Sequence, residues 1–334
     1  MKKVKIAQIG LNQNSHATQI FKSLAKQNDI FEVVGYVLPE NERIRLKNKI
    51  GVVDGFRELT LDEVLNDPEI EAVAIETDEV YLTKYALMCA KAGKHIHMEK
   101  PGGVNFADFE KLVDIMKETG KVFHTGYMYR YNPYVSRLIE QVKNGELGEI
   151  ISVEAQMNCI LSKETRMWLS SLPDGMMFYL GCHLVDLVLQ IKGQPQKIIP
   201  YNKSSGVDGV TAKDFGMAIF EYENGVSFVK TTALEIGGYA RRQLVVTGTE
   251  GTVEIKPLEM FVPGEGTHFT EKTEYFDKAW SDRGAHSQTE RFDRYDGMMA
   301  AFAAYVRGEV KNPYTLDYEL ELYKTILKAC GEIV

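Results

Sequence analysis

The chain has 334 residues, 44% of them apolar and 26% charged, with a formal net charge of −8. That length exceeds one ordinary hydrophobic core and predicts two domains, while the composition excludes disordered and fibrous folds. Mild acidity without a basic run argues against a nucleic-acid partner, and no apolar run reaches the ~20 residues of a membrane helix. The start, Met1-Lys2-Lys3-Val4-Lys5, leads directly into a strand pattern and has no leader-like apolar segment. Cys89, Cys159, Cys182 and Cys330 are widely spaced and read as free thiols of a reducing, cytoplasmic setting.

Up to about residue 123, strand and helix signals alternate, the pattern of a parallel sheet with crossover helices. Val4 to Ile9 reads as a strand ending at Gly10. Ala17, Ile20, Phe21 and Leu24 then recur at helical spacing. Phe31 to Val37 is a second strand, stopped near Pro39. Thr60-Leu61-Asp62-Glu63 is a capping box opening a short helix. Glu71 to Ile75 is a third strand, and a helix over Val80 to Ala92 ends at Gly93. His95 to Met98 is a strand, Phe106 to Thr119 a helix ended by Gly120, and Val122 to Gly126 a further strand.

Beyond that point the pattern changes. Ile150 to Met157 reads as a long strand and Leu180 to Ile191 as a helix. From Lys197 to Pro257 strands follow one another, with hairpin turns at Asn224-Gly225 and Thr249-Glu250-Gly251, so an antiparallel sheet is expected. The tail returns to helix from Tyr314, with Leu322, Tyr323, Ile326, Leu327 and Cys330 on one stripe.

Four segments carry chemistry. The strand–Gly10–helix opening is the place where an α/β unit binds phosphate on backbone N–H groups. In Gly10-Leu11-Asn12-Gln13-Asn14-Ser15, however, only the first glycine of a G-x-G-x-x-G fingerprint is present. Glu99-Lys100-Pro101 follows a strand directly, and the proline restricts Lys100 to an extended backbone at the sheet's carboxyl edge. This serves equally as an exposed turn. Gly126 to Tyr134 is dense in tyrosine around Arg130, suited to sugar contacts or to simple packing. Tyr179, His183 and Asp186 fall at i, i+4 and i+7, so one helix face would carry either an acid–base imidazole with a carboxylate to orient or charge-pair it, or simply a hydrogen-bonded core histidine. No zinc-ligand spacing and no G-x-S-x-G elbow occur, and no metal is expected.

Taken together, these segments resemble the Gfo/Idh/MocA family of NAD(P)-dependent oxidoreductases. The anchors are Ala92-Gly93-Lys94-His95 leading to Glu99-Lys100-Pro101, the stretch around Arg130, Gly181-Cys182-His183-Leu184-Val185-Asp186, Val246 to Thr252, and Asn312-Pro313-Tyr314-Thr315. The resemblance implies an α/β Rossmann domain over 1–123 plus an α+β domain with an open, mainly antiparallel sheet over 124–334. The last helix would return to the first domain. It implies NAD or NADP held by Gly10, Asn12, Asn14, Ser15, Leu38, Thr77, Glu99 and Lys100. Catalysis falls to Lys100 and His183 with Tyr179, and substrate binding to Arg130, Tyr131 and Asp186. The expected substrate is a sugar, polyol or related hydroxy compound, and the expected assembly a homodimer or homotetramer.

Three positions depart from the family. Asn12 and Ser15 replace glycines, and Leu38-Pro39 stands where an acid usually grips the ribose. Glu40 or Asn41 could take that role, or Arg43 and Arg45 could receive a 2′-phosphate. Tyr179 replaces an aspartate, and a phenol of pKa near ~10 supplies no charge at neutral pH. A non-catalytic sugar- or nucleotide-binding relative, acting as a sensor or partner protein, is therefore the alternative to the enzyme.

Overall fold

The computed structural model describes residues 2–46 and 49–332. The chain divides into two compact units, Met1–Tyr127 with Tyr295–Tyr323, and Met128–Arg294 with Lys324–Val334. The sequence reading assigns residues 124–334 to the second domain, with the last helix returning to the first. By contacts, residues 295–323, which include the first half of that helix, group with the first unit. Within that unit, Asn312 Nδ2 donates to Phe123 O at 2.9 Å and Thr125 Oγ1 to Glu319 Oε1 at 2.8 Å. Such side-chain pairing at long sequence separation leaves no periodic trace.

The first unit is built on β1 (Val4–Ile9), β2 (Phe31–Val37), β3 (Ala72–Ile75), β4 (His95–Met98) and β5 (Phe123–Thr125). All pair in parallel in the order β2-β1-β3-β4-β5. The helices are α1 (Ala17–Lys26), the single turn α2 (Glu42–Arg45), α3 (Leu61–Asn66), α4 (Leu82–Lys91) and α5 (Phe106–Thr119). The capping box of α3 forms as the sequence predicts, with the Thr60 side chain on Glu63 N and the Glu63 carboxylate on Thr60 N. Burial of Ile6, Ile9, Ile20, Phe21, Leu24, Val73 and Ile75 builds the core on both faces of the sheet. β1 connects outward to β2 on one side and neighbours β3 on the other. This is the strand-order reversal at whose carboxyl ends open α/β sheets bind ligands.

The second unit begins with α6 (Pro133–Lys143) and β6 (Ile150–Gln156), then α7 (Lys163–Trp168) and α8 (Cys182–Lys192). Nine further strands follow: β7 (Lys197–Pro200), β8 (Phe215–Tyr222), β9 (Gly225–Thr232), β10 (Gln243–Gly248), β11 (Thr252–Ile255), β12 (Met260–Val262), β13 (Thr267–Phe269), β14 (Glu271–Tyr275) and β15 (Ala285–Gln288). Eight strands form one sheet in the order β15-β14-β11-β10-β6-β9-β8-β7, antiparallel except for the β6–β9 pair. The fold is thus a Rossmann-type α/β unit and a mainly antiparallel α+β unit. Helix α9 (Asp296–Val306) lies in the first unit and α10 (Leu316–Cys330) closes the chain. Among the described residues no helix is long and apolar enough to cross a membrane. All four cysteines are free thiols, with Cys159 half-buried and the others buried.

Candidate functional site

Gly10 makes the turn out of β1. Its φ is +94°, and a Cβ there would stand 2.7 Å from Thr77 N and 2.8 Å from Glu76 C. Only glycine lets the two strand ends approach this closely. Asn12 occupies a family glycine position without filling the space above the turn, because its side chain folds inward and is fully buried. Its Oδ1 accepts from Asn14 N at 2.8 Å, and its Nδ2 donates to Thr77 O at 3.2 Å and Glu79 Oε2 at 3.1 Å. Ser15 Oγ accepts from Ala17 N at the start of α1. The N–H groups of Gln13 and Ser15 meet no acceptor among the described residues. Lys49 Nζ reaches Gln13 O at 2.6 Å and brings a cation to the turn. Donors, a helix N-terminus and an ammonium together suit a pyrophosphate, so the residues present fit a dinucleotide. Sequence reasoning missed Lys49, whose position rests on a long-range backbone contact. Gly10→Ala is expected to lower the melting temperature by several degrees, for a strain of about 1–3 kcal/mol, and to abolish dinucleotide binding; melting and titration check this.

Leu38 packs against the cluster of Leu11, Phe21, Tyr36 and Val53. Of the two residues proposed to replace the ribose acid, Glu40 is already engaged. Glu40 accepts from Lys84 at 2.5 Å and from the Tyr85 hydroxyl at 2.8 Å, and Asn41 takes a left-handed backbone at φ +59°. Glu42 is the buried acid at this turn: its Oε2 accepts from Leu11 N at 2.8 Å, and burial pushes its carboxyl up to about 7. Arg43 is ion-paired with Glu58, and Arg45 with Asp78 at 2.7 Å.

The ends of β3 and β4 carry a buried charge cluster. Thr77 is fully buried, as is Glu76; Glu79 is almost so, and Glu99 and Lys100 are each 6% exposed. Lys100 Nζ stands 3.8 Å from Glu99 Oε1, and the Lys100–Pro101 bond is cis. Burial raises all three carboxyls, Glu76 to about 8 and Glu79 and Glu99 to about 7, against the pull of the Lys100 ammonium. Behind them His97 Nδ1 meets His124 Nδ1 at 2.8 Å. Burial lowers His97 to about 4 and leaves it neutral at physiological pH. The sequence pattern overlooks Glu76 and Glu79 because a glutamate just past an apolar strand ordinarily reads as solvated.

In the second unit, a 3₁₀ turn over Met128–Tyr131 leads into α6, capped by Asn132 Oδ1. Tyr131 is half-buried at the end of that turn. Arg130 and Asp186 form a buried two-pronged ion pair, Nε–Oδ2 3.0 Å and Nη2–Oδ1 2.8 Å. Gln190 Nε2 also donates to Asp186 Oδ2. The carboxylate that the spacing sets near His183 thus also binds Arg130 and Gln190. The expected single helix face is also interrupted. Residues Met177–Gly181 form a π-helical turn before α8, so the 3.6-residue period does not run from Tyr179 to His183. The Tyr179 ring stands edge-on to Trp168, with centroids 5.2 Å apart. His183 is buried and meets the Tyr129 ring edge-on at 5.5 Å. The Tyr129 hydroxyl donates to Glu259 at 2.8 Å, and Arg242 and Arg294 hold the same carboxylate. Burial opposes ionisation of Glu259, but the two guanidiniums win and take it down to about 2. No cluster of metal ligands occurs among the described residues.

A parallel sheet with a phosphate-type turn at its switch point and a buried lysine beside it, carried on a chain with a second sheet-based unit, defines a dinucleotide-dependent oxidoreductase. A family model described as an oxidoreductase family with NAD-binding Rossmann fold matches residues 4–127, and the GFO/IDH/MocA C-terminal domain matches residues 135–254. The chain belongs to the Gfo/Idh/MocA family of NAD(P)-dependent oxidoreductases. It is 25% identical over 273 residues to trans-1,2-dihydrobenzene-1,2-diol dehydrogenase of Bos taurus, covering 79% of this chain and 78% of the relative. Myo-inositol 2-dehydrogenase of Thermotoga maritima is 30% identical over 109 residues, 32% of each chain. The crystal structure of aldose-aldose oxidoreductase from Caulobacter crescentus, complexed with glycerol, superposes with a TM-score of 0.78 at 17% identity, covering 99% of this chain and 98% of that one.

Proposed function

We propose that this protein transfers hydride to or from a carbinol carbon of a sugar, polyol or related small hydroxy compound, with Lys100 and His183 acting on the substrate oxygen. The observation that carries the reading is the buried Lys100 ammonium at the carboxyl end of β4, in the same unit as the Gly10 turn. The dinucleotide, when bound, supplies the hydride acceptor or donor. The protein supplies the proton chemistry. A carbinol carbon releases hydride only as its hydroxyl loses a proton, and a neutral His183 takes that proton. The Lys100 ammonium stabilises the negative charge that develops on the oxygen. Arg130, whose Nε and Nη2 bind Asp186, and Tyr131 would contribute to substrate binding, and the Tyr179 phenol to the proton chemistry. The curated relatives named for diols and inositols support a polyhydroxylated substrate.

The charge arrangement also favours NAD over NADP. Arg43 and Arg45 are held by acids, and Glu42 brings a carboxylate to the turn. A 2′-phosphate would meet no uncommitted arginine there. Titration with both nucleotides, followed by a polyol panel read as near-ultraviolet absorbance of the reduced nicotinamide, tests the reading. The expected result is NAD binding at least about tenfold tighter, with turnover of some polyhydroxy compound. Tighter NADP binding reverses the selectivity; binding of a sugar without turnover establishes the non-catalytic alternative.

A further inference from the structure

The carboxylates beneath Lys100 exceed what one lysine requires. Three acids, Glu76, Glu79 and Glu99, surround one ammonium. Both oxygens of Glu76 and Oε1 of Glu79 are buried without a hydrogen-bond partner among the described residues. Glu79 Oε2 is tied to Asn12, the residue that shapes the dinucleotide turn. Glu76 Oε1 lies 3.5 Å from His97 Nε2, and Glu76 backbone atoms touch the Gly10 position. A purely structural core would replace such acids by apolar groups at no cost in stability. Their placement at the switch point therefore has a different use.

Oxidised and reduced nicotinamide dinucleotides differ at the ring by one positive charge. A protein separates the two forms only through groups that interact differently with them. Buried carboxylates do so, because their field is screened far less than at a surface. Resting on the dinucleotide site proposed above, we propose that Glu76, Glu79 and Glu99 form a redox-state selector, whose ionisation makes this site hold the oxidised cofactor more tightly than the reduced one.

Charged and titratable groups face the cluster from three strand ends and from the turn. From β3's end come Glu76, Glu79 and Asp78, the last paired with Arg45. From β4 come His97, Glu99 and Lys100, and from β5 His124 behind His97. Glu42, on the opposite side of the turn, interacts with Asp78 and Arg45. Burial holds His97 low, so its own charge does not change near neutrality, whereas the carboxyls lose their protons there. They ionise as pH rises through about 7 to 8. Preference for the oxidised form therefore grows with pH, and its binding releases protons.

The test measures the Kd of NAD⁺ and of NADH by calorimetry near pH 6 and near pH 9, in buffers of different ionisation enthalpy, for the wild type and for Glu76→Gln/Glu79→Gln. In the wild type the ratio of reduced to oxidised Kd should rise about tenfold over that range, the scale of one charge acting through a protein interior. Proton release should accompany NAD⁺ alone. The double variant, with only Glu99 left to titrate, should show a clearly smaller rise of the ratio and less proton release while keeping its melting transition. If the variant fails to fold, the single Glu79→Gln and the wild-type proton release decide. A pH-independent ratio in the wild type, or an unchanged pH dependence in a folded variant, overturns the selector and leaves the cofactor site standing. Absence of binding by either form overturns both.

Discussion

Lys100→Met and His183→Asn should each lower kcat by about 10²–10⁴-fold, the usual worth of a positioned proton-transfer or charge-stabilising group. Methionine keeps the buried stem volume of Lys100 and removes only the charge. The carboxyls around it respond by holding their protons more firmly, because the ammonium lowers all three. The unit therefore stays folded and the loss is chemical. Asparagine at position 183 keeps a polar group beside the Tyr129 ring but has no titrating nitrogen. If both residues serve one oxygen in one step, the double variant should be little slower than the worse single variant, since groups that act as a unit are not additive. Single-turnover absorbance checks this with the best polyol of the panel. Turnover within about threefold of wild type in either single variant removes that residue from the reaction.

Periodicity carries far in this chain and stops at defined places. Strand and helix patterns up to residue 123 give the parallel sheet almost element by element, because each apolar run is short and bounded by Gly or a cap. Asn224-Gly225 gives the β8–β9 hairpin for the same reason. The helix Asp296–Val306 is missed because its Met- and Ala-rich run is apolar nearly all round, so no stripe marks it. The site is legible where a residue type is unusual in its context, as with Lys100 before a proline or Arg130 among tyrosines. It is illegible where function depends on a partner far along the chain. Nothing in the spacing predicts that Asp186 serves Arg130. A π-helical turn has no sequence period of its own, so the spacing around Tyr179 does not announce it. Glu42, Glu76 and Glu79 are ordinary surface residues by type and become buried only through topology.

Glu259→Ala should be the most destabilising substitution in the second unit. This carboxylate takes Arg242 Nη1 at 2.7 Å, Arg294 Nε at 2.7 Å and the Tyr129 hydroxyl at 2.8 Å, and it is 1% exposed. The Arg242 guanidinium also lies over the Tyr239 ring, 4.3 Å from its centroid. Removing the acid leaves two buried guanidiniums without their counter-charge, a loss of about 3–5 kcal/mol. Glu259→Gln keeps the shape and loses only the charge, so its cost is smaller. The pH dependence has a definite sign. A carboxyl held near 2 in the folded state and near ~4.3 when unfolded stabilises fully above the higher value. That contribution is lost as pH falls through the lower one. Melting curves at neutral and acidic pH should therefore show a wide gap between wild type and Glu259→Gln at neutral pH, closing on acidification. The Tyr129 ring that this carboxylate anchors is the one against His183. A freed ring shifts the imidazole's surroundings, so the acidic limb of the pH–rate profile should move in the folded Glu259→Gln protein. A profile that overlays the wild type would confine the cluster to a role in stability.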